Sequence, residues 1–402
     1  MHRRERTIVY LILAASVALA LAAGCGKKAQ TTAGSAKPGE GDQIKIGSYL
    51  SLTGDTAVFG ISTKNGIDLA VDEINDAGGV LGKKIVVEYE DDASQTKQAA
   101  TVVQKLISQE GVKAILGEVA SSRSLAGAPI CQRSRIPMLT PSSTNPEVTK
   151  KGDYIFRACY LDSFQGAALA YFAYNQLGAR KAAILVDIKQ DYSKGLASFF
   201  KAKFQELGGK IVQEASYQSK ETDFRAQLTR IKAAKPDVVF VPGYYQEAAQ
   251  IGKQAVEIDL GAPLLGGDGW EADALLEVAG TALDGCYYSN HYFLEDPSPT
   301  IQNFRAKYNE RYKKGGKSLE PDAMAALGYD AARIMADAIE RAGSTDPTAI
   351  RDALAQTKDF EGVTGKIAID ENRNASKPLV MLKIVGTNKE KVAEITPPQI
   401  GL

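Results

Sequence analysis

Apolar positions along residues 43–400 fall into two periods that take turns. Short β-branched runs at 44–48, 84–90, 112–116 and 136–139 alternate with stretches whose apolar side chains return every three or four positions. Ile67, Ala70, Val71 and Ile74 mark a helix within 64–75. Val102, Val103, Leu106 and Ile107 mark one within 94–109, and a third covers 122–135. Strand–helix alternation of this kind predicts a parallel sheet with helices on both faces. A second series starts after residue 162, with helices at 162–177, 192–207, 222–234, 247–256 and 272–279. Its strands are at 181–186, 210–216, 237–241, 263–265 and 285–289. The expected fold class is therefore α/β, with two doubly wound parallel-sheet lobes. Helical stretches at 301–312, 322–342 and 347–356 follow, then strand-like 366–369 and 379–384; amphipathic helices need a surface to pack on, so these return to the lobes.

Composition narrows the function. Hydrophobic residues make 44% and charged residues 24% of 402, enough apolar surface for two full-sized cores. Lys plus Arg and Asp plus Glu are both 48, so no positive excess faces a nucleic acid. The two histidines are His2, at the extreme N-terminus, and His291, which leaves a single imidazole for catalysis or metal binding. No Gly-x-Ser-x-Gly, His-Glu-x-x-His or strand-following Gly-x-Gly-x-x-Gly occurs, and Arg311 stands where a phosphate loop ending at Gly316-Lys317-Ser318 needs its first glycine. The expectation is no enzyme, no cofactor, no metal and no catalytic residue.

The N-terminus has its own pattern. His2, Arg3, Arg4 and Arg6 precede an apolar run at 8–23, which predicts a secretory signal over 1–24. Leu21-Ala22-Ala23-Gly24-Cys25 resembles a bacterial lipobox, which implies lipidation of Cys25 and an anchor on the periplasmic or outer face of a membrane; a plain secretory signal is the alternative. Residues 25–42 hold nothing apolar larger than Ala beyond Cys25 and form a tether. Cys131, Cys159 and Cys286 allow at most one disulfide, or are three buried thiols.

In an open α/β sheet the ligand lies beyond the carboxyl ends of the strands. Six polar loops follow six strands here: 51–60, 117–124 and 140–146 in the first series, and 187–192, 242–247 and 266–271 in the second. The first three offer hydroxyls, with Ser121 and Ser122 at a helix start suited to a carboxylate and Ser142 and Thr144 as further donors. The second three offer Asp268 between glycines to receive an ammonium, flanked by Tyr244. Singly, each has a plainer reading as a helix cap, a turn residue or a packing aromatic, and Phe59, Tyr192 and Trp270 are core side chains by default. Complementarity across two lobes favours a binding cleft for one small zwitterion.

Taken in order, these loops resemble the periplasmic leucine/isoleucine/valine-binding protein family, the binding components of branched-chain amino-acid ABC transporters. The resemblance is carried by Ser51-Leu52-Thr53-Gly54, Gly78-Gly79-Val80-Leu81-Gly82, Tyr89-Glu90-Asp91-Asp92, 140–146, Phe156-Arg157 with Asp162 and Gln165-Gly166, and 360–365. It implies a type I periplasmic binding fold whose lobes, 43–161 with 292–365 and 162–291 with 366–402, join through a three-crossing hinge near Leu161, His291 and Gly365. It implies carboxylate contacts at Ser121, Ser142 and Thr144, ammonium contacts at Asp268 and Tyr244, and pocket walls at Phe59, Tyr192, Trp270 and Met324. Asp268 stands where the best-known member has glutamate, and Phe59 where tyrosine is frequent. The implied protein is a monomer that hands an aliphatic amino acid to permease subunits. A sensor for a membrane receptor, or a binder of an amide, urea or aromatic acid, are the alternatives on the same fold.

Overall fold

The computed structural model describes residues 43–401; the expected signal, Cys25 and nearly all of the tether lie outside them. Five strands form the first sheet: β1 (Gln43–Leu50), β2 (Lys84–Asp91), β3 (Ala114–Gly117), β4 (Met138–Thr140) and β5 (Ile155–Arg157), all parallel, in the order β2-β1-β3-β4-β5. Helices α1 (Ala57–Asp76), α2 (Thr96–Ser108) and α3 (Ser121–Ser134) connect them. The chain then passes into α4 (Asp162–Tyr171) and a second sheet through β6 (Lys181–Asp187), α5 (Asp191–Glu206), β7 (Lys210–Tyr217), α6 (Arg225–Ala233), β8 (Val238–Val241), α7 (Tyr245–Glu257), β9 (Leu264–Gly266), α8 (Asp273–Ala279) and β10 (Tyr287–Asn290).

From β10 the chain returns to the first half as α9 (Pro299–Arg311), the small hairpin β11 (Lys313–Lys314) and β12 (Lys317–Ser318), α10 (Ala323–Ala342) and α11 (Pro347–Ala355). Helix α10 begins at an Asp322 cap that accepts from the Ala325 N–H and ends at Gly343 in the left-handed region. It packs on α1 at nearly backbone contact, because a Cβ on Gly66 would fall 1.9 Å from the Ala325 carbonyl oxygen and one on Gly328 2.4 Å from that of Thr63. A third crossing runs through β13 (Phe360–Gly362), β14 (Gly365–Ile369) and β15 (Ala375–Ser376), a small antiparallel sheet. Antiparallel β16 (Leu379–Val385) and β17 (Asn388–Ile395) then complete the second sheet, order β17-β16-β10-β9-β8-β6-β7. This is the type I periplasmic binding fold, with parallel-sheet α/β lobes.

The central strands β3 and β8 are buried at every position, as continuous apolar runs covered on both faces must be. Cys131, Cys159 and Cys286 are free and buried, and burial pushes their thiols up to about 12, 12 and 11. No described helix is long and apolar enough to cross a membrane.

Candidate functional site

The carboxyl ends of both sheets meet at a small cavity lined by Phe59, Val119, Ser121, Ser142, Thr144, Tyr192, Tyr244, Asp268, Gly269 and Met324. Its free volume of about 10 Å³ holds roughly one water, so the walls are drawn nearly together. A larger, open crevice nearby carries six carboxylates, among them Glu271, Asp273 and Asp322.

The first half supplies a wall of donors. Helix α3 starts at Ser121, so the N–H groups of Ser121 and Ser122 have no intrahelical acceptor and present the positive end of the helix dipole. The Ser121 hydroxyl accepts from the Asn145 N–H at 3.2 Å and keeps its own proton to donate. The hydroxyls of Ser142 and Thr144 are buried without a protein partner. Their loop is held from behind by Arg157, which is fully buried. Its guanidinium donates to the carbonyls of Ser143 and of Asn145 (2.8 Å) and to Asn374 Oδ1 (2.8 Å). The Ser143 hydroxyl adds a 2.9 Å bond to the Glu118 carbonyl.

The second half supplies an acid. Asp268 sits in a single 3₁₀ turn (Asp268–Trp270) after β9, where a Cβ on Gly267 would fall 2.4 Å from the Tyr192 hydroxyl and one on Gly269 2.7 Å from the Gly243 carbonyl. Both positions therefore need glycine. Oδ1 accepts from Gln165 Nε2 (2.9 Å) and the Tyr192 hydroxyl (2.7 Å), and Oδ2 lies 3.1 Å from His291 Nε2. Burial holds the imidazole below its usual range and therefore neutral, and raises the Tyr192 phenol far above its own. Asp268 is 3% exposed, and every donor around it is uncharged. A buried carboxylate with hydrogen bonds but no cation is half of an ion pair.

Aromatic rings close the remaining sides. Tyr192 and Tyr244 stack at 5.3 Å, and Phe59 meets Tyr244 edge-on at 5.7 Å. The Tyr244 hydroxyl is buried without a partner. Tyr192 bonds the acid directly, and Tyr244, the expected flanking tyrosine, lines the same cavity. Contacts also run directly between the halves. The Asp191 N–H donates to the Ser122 hydroxyl and Asn145 Nδ2 to the Asp191 carbonyl, each at 2.9 Å, and the Tyr245 hydroxyl donates to the Asp55 carbonyl at 3.1 Å. The halves are thus closed on the cavity.

Two expected ligand residues turn their side chains away from the cavity. The Ser122 side chain is used in the bond to Asp191, because one residue along the helix rotates it by about 100° from Ser121, away from the cavity and toward the facing lobe. Trp270 is fully buried, donates from Nε1 to the Val241 carbonyl at 3.1 Å, and packs on Gly266 and Tyr288; its indole is core beneath the Asp268 turn. Gln165, Arg157 and His291 were not named as site residues. Gln165 and Arg157 lay within the stretches that carry the family resemblance, and His291 was the lone imidazole, which is the signal that could have found them. Among the described residues no group of three or more His, Cys, Asp or Glu is arranged to hold a metal.

A periplasmic binding protein family model matches residues 43–389. The chain belongs to that family. It is 40% identical to a leucine-binding protein of Thermotoga maritima, with a TM-score of 0.84 over 89% of this chain and 99% of that one. It is 34% identical to a branched-chain amino-acid transporter substrate-binding protein of Streptococcus pneumoniae solved with isoleucine (TM-score 0.81; 88% and 98% covered). A Rhodopseudomonas palustris solute-binding protein of an ABC transporter, solved with 3,4-dihydroxybenzoic acid, is 28% identical (TM-score 0.78; 88% and 98% covered). These last two similar structures hold one ligand with an ammonium and one without on closely similar folds.

Proposed function

We propose that this chain is the extracytoplasmic binding component of an ABC transporter, lipidated at Cys25, that captures a branched-chain or related aliphatic α-amino acid. The chain would work without catalysis, as a monomer, and present the closed form to permease subunits. The lobes would be 43–161 with 292–365 and 162–291 with 366–402, turning about the crossings near Leu161, His291 and Gly365. The ligand carboxylate would sit at the start of α3, against the Ser121 and Ser122 amides and the hydroxyls of Ser121, Ser142 and Thr144. The ammonium would face Asp268, and the side chain would lie among Phe59, Tyr244, Val119 and Met324.

One observation carries the reading: Asp268 is buried between neutral donors, so the cavity has an uncompensated negative charge suited to a cationic ligand group. An aromatic acid would place a second carboxylate charge in the same small space. The aromatic walls still give that second reading a foothold. A thermal-shift screen of residues 42–402 against the twenty amino acids and a set of benzoates separates the two. Ligand at about 100 times its dissociation constant adds about 2.7 kcal/mol to stability. A shift confined to leucine, isoleucine and valine supports the proposal; a shift with benzoates alone refutes it.

A further inference from the structure

His291 stands at the second crossing, directly after β10, and its ring is fully buried. It stacks on Tyr160, which immediately precedes the first crossing, with centroids 4.0 Å apart and planes 19° from parallel. Nε2 lies 3.1 Å from Asp268 Oδ2, and Nδ1 is buried with no partner. That geometry selects one tautomer. With the proton on Nε2 the ring donates to the carboxylate and leaves only a weak acceptor unsatisfied. With it on Nδ1, a lone pair would face the carboxylate and a buried donor would be orphaned.

We propose that His291 is a positioning residue with two states: as the neutral Nε2–H tautomer it fixes Asp268 for a ligand ammonium, and as imidazolium it becomes the cation of Asp268 and displaces that ammonium. The inference rests on the amino-acid reading above. The ligand ammonium and a protonated His291 compete for one carboxylate, so each disfavours the other. The charged and titratable groups around the ring are few. Asp268, in the turn after β9, and Glu271, at the end of that turn, favour the proton. Lys377, from the third crossing, and burial oppose it, and the phenol of Tyr160 covers one ring face. Burial is the larger effect, so the ring protonates below its usual range.

The linkage has a definite sign. The complex binds one proton fewer at His291 than the ligand-free protein, so affinity is constant where the ring is neutral in both states. It falls, by up to about tenfold per pH unit, as pH drops through the ring's range in the free protein. Asp268 stands on the element that contacts the ligand and His291 on the crossing behind it. Acidification would therefore loosen the ligand without disturbing the cavity walls.

Titration calorimetry with leucine from pH 8 to pH 5 tests this on wild type, His291→Gln and His291→Leu. Gln keeps an N–H at similar reach and cannot take a second proton; Leu keeps bulk and donates nothing. At pH 8, H291Q should bind within about threefold of wild type and H291L at least about tenfold more weakly. Below pH 6 wild type should lose affinity while H291Q stays level. If H291Q is as weak as H291L at pH 8, or if wild type and H291Q share one pH profile, the proposal is overturned. The profile comparison decides even if H291L does not fold. Failure of wild type to bind any of the twenty amino acids removes the amino-acid reading as well, whereas tight binding with a shared profile removes only this proposal.

Discussion

Replacing Asp268 with Asn isolates the charge that the binding account depends on. The amide has the shape of the acid. Its oxygen still accepts from Gln165 and Tyr192, and its NH₂ faces His291, whose other tautomer accepts it. What disappears is the negative charge opposite the ammonium. Truncating one partner of a buried, hydrogen-bonded charge pair costs about 2 to 5 kcal/mol, or roughly 30- to 5,000-fold in dissociation constant. The ligand-free variant should melt at the same temperature as wild type or higher, because a buried charge without a cation is itself a cost to the fold. Calorimetry at pH 7.5 reads affinity and a thermal melt reads stability. Loss of affinity with stability kept is the expected pair. Leucine binding within about threefold of wild type would refute the reasoning, and so would weakened binding explained by an unfolded variant.

The supports of the site make further predictions. Arg157→Lys leaves one ammonium where a planar fork served two carbonyls and Asn374, so the 142–145 loop should loosen. Leucine affinity should fall at least tenfold, and denaturant melts should show a loss of about 2 kcal/mol. Ser122→Ala removes a bond that joins the two halves without touching the cavity. It should weaken leucine binding by about 1 kcal/mol, roughly fivefold, with selectivity among leucine, isoleucine and valine unchanged. Burial lowers the Lys377 ammonium to about 8 in the fold, against Asp330, while the unfolded chain keeps the ordinary value near 10.4. Between those pH values the unfolded state holds the extra proton, so stability should rise by up to about 3 kcal/mol from pH 8 to pH 10.5. In urea melts Lys377→Met should lose that rise.

Much of the scaffold was legible because burial on both faces writes itself as uninterrupted apolar runs. The 237–241 and 112–116 runs became β8 and β3 with small shifts of boundary. β17 was missed because it is an edge strand, Asn-Lys-Glu-Lys-Val-Ala-Glu-Ile, whose charged alternation reads as surface. β5 is three residues long and ends on Arg157, whose charge argues against a buried strand until its four acceptors are seen. Of the ten residues singled out for binding, Phe59, Ser121, Ser142, Thr144, Tyr192, Tyr244, Asp268 and Met324 line one cavity. Loop position beyond a strand brings them together whatever the side chain. Ser122 and Trp270 shared those loops but point the other way, because a helix start and a 3₁₀ turn rotate neighbouring side chains by about 100° and 120°. Gln165 and His291 act through Asp268 at separations of 103 and 23 residues, a relation that no local pattern encodes.

Selection of the ligand by its ammonium group follows directly from the proposed role of Asp268. Leucine and 4-methylpentanoate share a side chain and a carboxylate and differ only in that ammonium, so their affinities for wild-type protein, measured side by side by calorimetry at pH 7.5, test it most directly. Leucine should bind, and 4-methylpentanoate should bind at least about 100-fold more weakly, in line with loss of a charged partner. Equal affinity for the two, or tighter binding of the acid without the ammonium, would contradict it.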